Sequence, residues 1–229
     1  MGTDRDPPAG ERGRYLPLVT GVVLAGGRSR RMGGGDKSLG ALNGEPMIAL
    51  VARRLSRQAG SVVVNANGDP ARFAWLELPV TADRIAGFAG PLAGIHAGME
   101  WARQHTPGAR WIATAAADTP FFPDDLVLRL VEAGDGAPGA IVLAGSAGRI
   151  HPVFGLWPVA LAETLEAALR EEDARGVRQW VARHPHTQVA FDGAVVGETE
   201  IDPFFNVNTP QDMEAARRIG AALARGAAA

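Results

Sequence analysis

Between Gly26 and Lys37 the chain sets Arg28, Arg30 and Arg31 among two glycine runs, Gly26-Gly27 and Gly33-Gly34-Gly35, and closes on Asp36-Lys37. Glycine lets backbone N–H groups approach a ligand closely, and Arg31 and Lys37 add mobile positive charge in the same place. The combination suits a polyphosphate; the plain alternative is a charged surface loop. Further along stand two isolated carboxylates, Asp83 and Asp118, and the amide Asn65. A carboxylate facing a polyphosphate is suited to hold Mg²⁺, a hard cation that takes one or two carboxylates plus phosphate oxygens. Asp118, before Thr119-Pro120, reads equally as a turn aspartate, Asp83 as a turn cap, and Asn65 as part of an Asn-Ala-Asn-Gly turn. Near the C-terminus Asn206 and Asn208 flank Val207. An extended backbone puts both amides on one face, an arrangement that suits a heteroatom-rich ligand such as a pterin at a helix mouth that favours anions. Capping by Asn208 or Thr209 is the structural alternative. His96 reads as structural, and His151 before Pro152 is within reach of an anionic substrate only as a weak signal. His105, His184 and His186 read as solvated, and no Ser-His-Asp order or metal-spaced histidine cluster stands out.

The elements that must position these residues follow from apolar patterning. Val22–Ala25, Ser61–Ala66, Pro79–Ala82, Trp111–Ala117, Ala140–Ala144, Ile150–Trp157 and Thr187–Phe191 read as strands, the first ones as buried runs. Helices are expected over Glu45–Ala59, from Gly94 to about Gln104, over Pro123–Glu132, Pro158–Arg170 and Arg175–Arg183, and from Thr209 to Ala224. In the last, Thr209 is the N-cap and Pro210 the first helical residue. Alternating strands and helices predict a mostly parallel central sheet in a three-layer α/β, Rossmann-like arrangement with right-handed crossovers. Ligands of such sheets lie at the carboxyl ends of the strands, where the glycine loop, Asn65, Asp83 and Asp118 all fall. Residues 1–18 read as a disordered tail and residues 19–225 as a single domain.

Composition narrows the function further. A net charge of -2 argues against a general nucleic-acid or membrane-surface binder, and no apolar run approaches the ~20 residues of a membrane span. Without cysteine there is neither disulfide nor thiolate chemistry, which is compatible with a cytoplasmic setting. Two familiar phosphate loops are excluded. Asp36 stands where a Walker A loop needs glycine before its lysine, and Gly26-Gly27-Arg28 does not supply the dinucleotide fingerprint.

The motifs LAGG (Leu24–Gly27), RRMGGGDK (Arg30–Lys37), VVVNAN (Val62–Asn67), GPLAG (Gly90–Gly94), DTP (Asp118–Pro120) and NVNTP (Asn206–Pro210) occur in this order. Together they resemble molybdenum cofactor guanylyltransferase, from Gly21 to Pro210. LAGG with a downstream lysine is shared by many nucleotidyltransferases; GPLAG and NVNTP are the specific parts. The resemblance implies a nucleotidyltransferase fold and transfer of GMP from GTP to the phosphate of molybdopterin carrying molybdenum, with Mg²⁺ as cofactor. It implies GTP contacts from Leu24, Ala25, Gly26, Gly27, Lys37, Asn65, Asp83 and Asp118, with Asp118 also binding the metal. Arg31, Lys37 and Asp118 become the catalytic set. Asn206 and Asn208 become pterin contacts, so that the N-terminal half holds GTP and the C-terminal half the pterin. Relatives that use CTP carry Leu-Ala-Ala-Gly where this chain has Leu24-Ala25-Gly26-Gly27. The resemblance further implies a cytoplasmic enzyme in transient contact with molybdopterin-delivering proteins or molybdoenzyme chaperones. A cytidylyl- or sugar-nucleotidyltransferase of the same fold stays open as an alternative, as does a non-catalytic nucleotide- or cofactor-binding module. The residues of Ala133–Gly148 have no clear counterpart in the motif series.

Overall fold

A computed structural model describes residues 15–26, 39–85, 90–171, 176–196 and 199–226. Gly27, Arg31 and Lys37 therefore lie outside the described residues. One sheet of seven strands organises the rest, in the order β5-β4-β1-β6-β8-β7-β9. Its strands are β1 (Val19–Leu24), β4 (Ser61–Asn65), β5 (Val80–Thr81), β6 (Trp111–Ala116), β7 (Ile141–Ser146), β8 (Arg149–Pro158) and β9 (His186–Ala190). All pairings are parallel except those of β8 with β6 and β7.

The reversal has a local cause. Ala147 and Gly148, with φ of 46° and 72°, form a two-residue turn between β7 and β8. Positive φ at both turn residues matches the twist of a tight hairpin. A short hairpin can only return antiparallel, so β8 enters beside β6 running the other way.

Alternation along each strand sorts the core into two layers. Val23, Val62, Val64, Ala113 and Ala115 face one side, with Ile48, Val51 and Leu55 of α1 (Met47–Ser56) and Leu126, Val127 and Leu130 of α3 (Leu126–Asp135). Val22, Val63, Ile112, Ile141 and Leu143 face the other. They meet Ile95 and Met99 of α2 (Pro91–His105), Leu165 and Leu169 of α4 (Ala162–Arg170) and Trp180 of α5 (Val177–Val181). A sheet covered on both faces needs such near-continuous apolar strands. Helix α6 (Pro210–Gly226) lies outside these layers, joined through Met213 and Ala216 to Leu42, Met47 and Val207.

Four segments differ from the sequence expectation. The helix expected from Glu45 starts at Met47, because Asn43-Gly44, both at positive φ, turn a hairpin of β2 (Ala41–Leu42) and β3 (Glu45–Pro46). Asn-Gly is the strongest short hairpin signal, and here it prevails over the helical stripe. The helix expected over Pro123–Glu132 runs over Leu126–Asp135 instead; Arg54 of α1 and Gln58 just beyond it donate to the carbonyls of Phe122 and Pro123, at 2.7 and 3.0 Å, and hold that stretch as a turn. Before Val19, residues 15–18 of the expected tail are ordered. The Tyr15 ring is buried in the core, Leu16–Leu18 form a 3-10 turn, and the Leu16 carbonyl sits where a side chain at Gly60 would stand. Finally, β10 (Ala194–Val196) and β11 (Thr199–Ile201) form a second small hairpin.

One buried group stands apart. His96 on α2 is 2% exposed, and neither ring nitrogen has a hydrogen-bond partner. Burial pushes its pKa down, against Glu166 and Glu100, which favour the charged form, while Arg84 and Arg170 reinforce the lowering. Above the ordinary histidine value of about 6.5 both folded and unfolded states are neutral. As pH falls through that value, the unfolded chain takes up a proton that the folded chain resists, so stability declines. His96→Leu is therefore expected to gain roughly 1 kcal/mol by removing an unsatisfied polar group, a rise of about 2–4 °C in Tm. The gain should widen from pH 7 to pH 5.5. Melting curves across that range check it, and a variant less stable than the parent at both pH values would show a partner for His96.

Candidate active site

At the carboxyl edge of the sheet the backbone ladder continues past the strands. The amide of Ala25 donates to the carbonyl of Asn65 (2.8 Å), and that of Ala117 donates to the carbonyl of Leu24 (3.1 Å). These bonds hold the ends of β4, β1 and β6 side by side. Chain direction also switches here, since β1 is followed by β4 on one side and has β6 on the other, and such a switch point opens a crevice.

On the β4 side lies a closed polar cluster. Asn65 Nδ2 donates to Asp83 Oδ1 (3.0 Å), Asn67 Nδ2 donates to Asp83 Oδ2 (2.7 Å), and the Asp83 amide donates back to Asn67 Oδ1 (2.9 Å). Asp83 thus spends both oxygens in orienting two amides. Asn67 was not among the residues expected at the site; the signal was its alternation with Asn65 across Ala66.

With its Nδ2 on the carboxylate, Asn65 turns Oδ1 toward two glycines. A methyl group at Gly94 would overlap that oxygen, and one at Gly26 would stand 3.2 Å from it. Gly98, one helical turn beyond Gly94, likewise has no room for a methyl, which would meet Val22 at 2.6 Å. The glycines of α2 let the helix lie close on β1 and β4, which is the physical content of the GPLAG motif. Asn65 itself is 2% exposed, whereas Leu24, Ala25, Gly26 and Asp83 are partly open.

Asp118 is half-buried just past β6, in a turn closed by the Thr119 amide on the Ala116 carbonyl (3.2 Å). Both readings of Asp118, turn residue and ligand, agree with that position. Its carbonyl accepts from the amide of Val207 (2.9 Å), which ties the C-terminal segment directly to it. Val207 is buried while Asn206 and Asn208 are exposed, so the two amides do share one face. The helix mouth beside them is not vacant. The amides of Asn208 and Thr209 both donate to Asp212 Oδ2, at 2.9 and 2.8 Å, and the Asp212 amide donates to Thr209 Oγ1 (3.1 Å). This is a capping box, with Thr209 as the expected N-cap, and the chain's own carboxylate occupies the place where an anionic ligand was expected.

Among the described residues no group of three or more His, Cys, Asp or Glu side chains is arranged to hold a metal ion. Among the described residues, Asp118 has the donor chemistry that Mg²⁺ takes when one carboxylate is joined by substrate oxygens and water. Asp83 is turned to its amides.

A mostly parallel α/β sheet with its polar groups at a switch-point crevice is built to take a ligand at that edge, and a match to an NTP transferase domain places the chain in the nucleotidyltransferase class. Residues 21–188 match the model of the MobA-like NTP transferase domain. A molybdenum cofactor guanylyltransferase of Rhodopseudomonas palustris is 48% identical over 89% of this chain and 94% of its own length. Another, of Mesorhizobium japonicum, is 48% identical over 88% and 95%. Among solved structures, molybdopterin-guanine dinucleotide biosynthesis protein A of Archaeoglobus fulgidus superposes with a TM-score of 0.67 at 23% identity, covering 88% of this chain and 98% of that one, and shows the shared fold. The chain belongs to the molybdenum cofactor guanylyltransferase family.

Proposed function

We infer that the chain transfers GMP from GTP to the terminal phosphate of molybdopterin carrying molybdenum, giving molybdenum guanine dinucleotide and pyrophosphate. The observation that carries this reading is the Asn65–Asp83–Asn67 cluster facing Gly26, with Asp118 two strands away, roughly 10 Å at ordinary inter-strand spacing. That span suits a nucleotide lying across β4, β1 and β6. Asn65 Oδ1 offers an acceptor to the donor groups of guanine or ribose, held in orientation by Asp83. Gly26 leaves bare backbone beside it, where an alanine methyl would crowd the base.

The chemistry asks little of the protein beyond alignment and charge neutralisation, since the attacking phosphate is already anionic. Asp118 would hold Mg²⁺, which when bound supplies positive charge at the α-phosphate. Lys37, Arg31 and backbone N–H groups of the glycine-rich stretch hold the charge that grows on the departing pyrophosphate. Asn206 and Asn208 take the pterin. On this reading the chain from about residue 19 to 225 is one domain, GTP in its N-terminal half and the pterin in its C-terminal half. It works in the cytoplasm and meets molybdopterin-delivering proteins or molybdoenzyme chaperones transiently. No described helix is long and apolar enough to cross a membrane.

The test offers equal GTP and CTP in competition, with Mg²⁺ and molybdopterin, and reads pyrophosphate release for turnover and the guanine or cytosine dinucleotide product for the donor used. Preference for CTP would replace the guanine assignment with a cytidylyl one, and ligand binding without pyrophosphate would leave only a binding module. Gly94→Ala probes the same cluster from behind. Its methyl displaces the Asn65 amide, so a stability loss of about 1–3 kcal/mol and a roughly tenfold weaker GTP affinity are expected together. Calorimetry of GTP binding checks both, and unchanged affinity would remove Asn65 from the nucleotide site.

A further inference from the structure

Beyond Asp118 on the same edge of the sheet, β7 ends on Ser146 and β8 begins near His151. Ser146 Oγ donates to Asp202 Oδ1 (2.7 Å) and lies 2.7 Å from His151 Nε2. The order matters. A carboxylate only accepts, so the single hydroxyl proton of Ser146 goes to Asp202, and Ser146 can then only accept from the imidazole. His151 is thereby fixed with its proton on Nε2. Asp202 is itself anchored by the amide of Phe204 (2.9 Å), whose ring stacks on His151 with centroids 4.5 Å apart. Ring plane and tautomer are both set, and Nδ1 has no hydrogen-bond partner among the described residues. A serine in the middle of the chain, its proton committed to a carboxylate, is no nucleophile. The arrangement positions an acceptor.

We propose that His151, locked by Ser146 and Asp202, is a binding residue for the second substrate, its Nδ1 accepting a hydrogen bond from an N–H group of the pterin heterocycle. The inference rests on the reaction assigned above and adds a residue to it. Asn65 on β4 and His151 on β8 are three strands apart, about 14 Å at ordinary spacing, too far to share one base. The segment from Asp202 to Asn208 links His151 to Asp118 through the Val207 amide, so the same stretch carries Asn206 and Asn208 past both. A phosphate fits this imidazole less well. Binding an anion needs the protonated ring, which burial opposes despite Asp202, with Arg149 and Arg178 acting in the same direction as burial. A neutral Nδ1 beside an acidic relay calls for a donor, and the pterin ring has ring N–H and amino groups.

The experiment compares His151→Phe, His151→Gln and His151→Asn in steady-state kinetics and in direct binding of molybdopterin. Phe keeps the stack on Phe204 but loses Nδ1; Gln reaches Ser146 but not the Nδ1 position; Asn places an oxygen near it. Phe and Gln should raise the KM for molybdopterin about tenfold, with the same weakening in direct binding, while the KM for GTP stays within about twofold. Asn should recover part of the loss. Ser146→Ala, which frees the ring, should give a smaller rise and serves if His151→Phe does not fold. A kcat loss with the pterin KM unchanged, or a selective rise in the GTP KM, overturns the assignment. If the wild-type chain releases no pyrophosphate from GTP and molybdopterin, the reaction itself is misassigned and His151 falls with it. An active wild type whose His151 variants bind molybdopterin normally sinks the inference alone.

Discussion

Asp118→Asn is expected to keep the fold and to abolish Mg²⁺-dependent turnover. Asparagine preserves the size of the side chain and the backbone bond from Val207, so the crevice keeps its shape. What disappears is the negative charge that a hard cation needs at that position. The other carboxylate nearby, Asp83, already receives Asn65 and Asn67 on its two oxygens, so it is poorly placed to substitute. Metal assistance in transfers of this kind amounts to several kcal/mol, which sets the loss at roughly 10³-fold or more in kcat. Some GTP binding should survive through the Asn65 cluster. Turnover and a Mg²⁺ titration on the variant check both parts. Retention of each would reduce Asp118 to a turn residue.

Lys37→Ala carries the second largest expected effect. Lys37 lies outside the described residues, but the chain leaves the crevice at Gly26 and is back against the core by Leu39. Twelve residues, 27–38, separate those points and carry the basic groups of the glycine-rich stretch. A cation acting on charge that grows only in the transition state lowers kcat when removed, on the order of 10²–10³-fold, with a modest change in the KM for GTP. The substitution is expected to leave Tm unchanged. A variant with normal turnover takes Lys37 out of the mechanism, and a rise confined to KM makes it a ground-state contact.

How much of this was legible depended on whether the signal was local. The central strands β1, β4, β6 and β7 were readable because each is a short apolar run, and the carboxyl ends of the expected strands put Asn65, Asp83 and Asp118 on one edge. The Asn43-Gly44 hairpin was locally written too, but the helical stripe starting at Met47 absorbed its second strand. Thr209 was legible as the N-cap, but Asp212 at capping-box spacing went unread, so a ligand was expected at a helix mouth that this carboxylate fills. The roles of partners were not readable. That Asp83 orients Asn67 depends on a hydrogen bond across sixteen residues, and that Ser146 meets Asp202 on one across fifty-six. Nothing in the spacing of such residues reveals that tertiary packing will bring them together. His151 therefore looked like a weak candidate until its neighbours were in place.

The reversed strand β8 bears on the order in which the molecule assembles. Joined to β7 through Ala147-Gly148 alone, it forms a hairpin of low sequence separation, a unit that closes in about 1–10 μs. The pairing of β1 with β6 instead joins Val19 to Trp111 and must close a loop running through two other strands of the sheet. Parallel contacts of that range come late, because the entropy of loop closure is spent before they are made. During synthesis, the C-terminal half gains its hairpin from neighbouring residues, whereas the crevice at β4, β1 and β6 exists only once β6 has docked beside β1. A chain halted before Trp111 holds every glycine from Gly26 to Gly35 and still lacks the strand that completes the crevice beside β1.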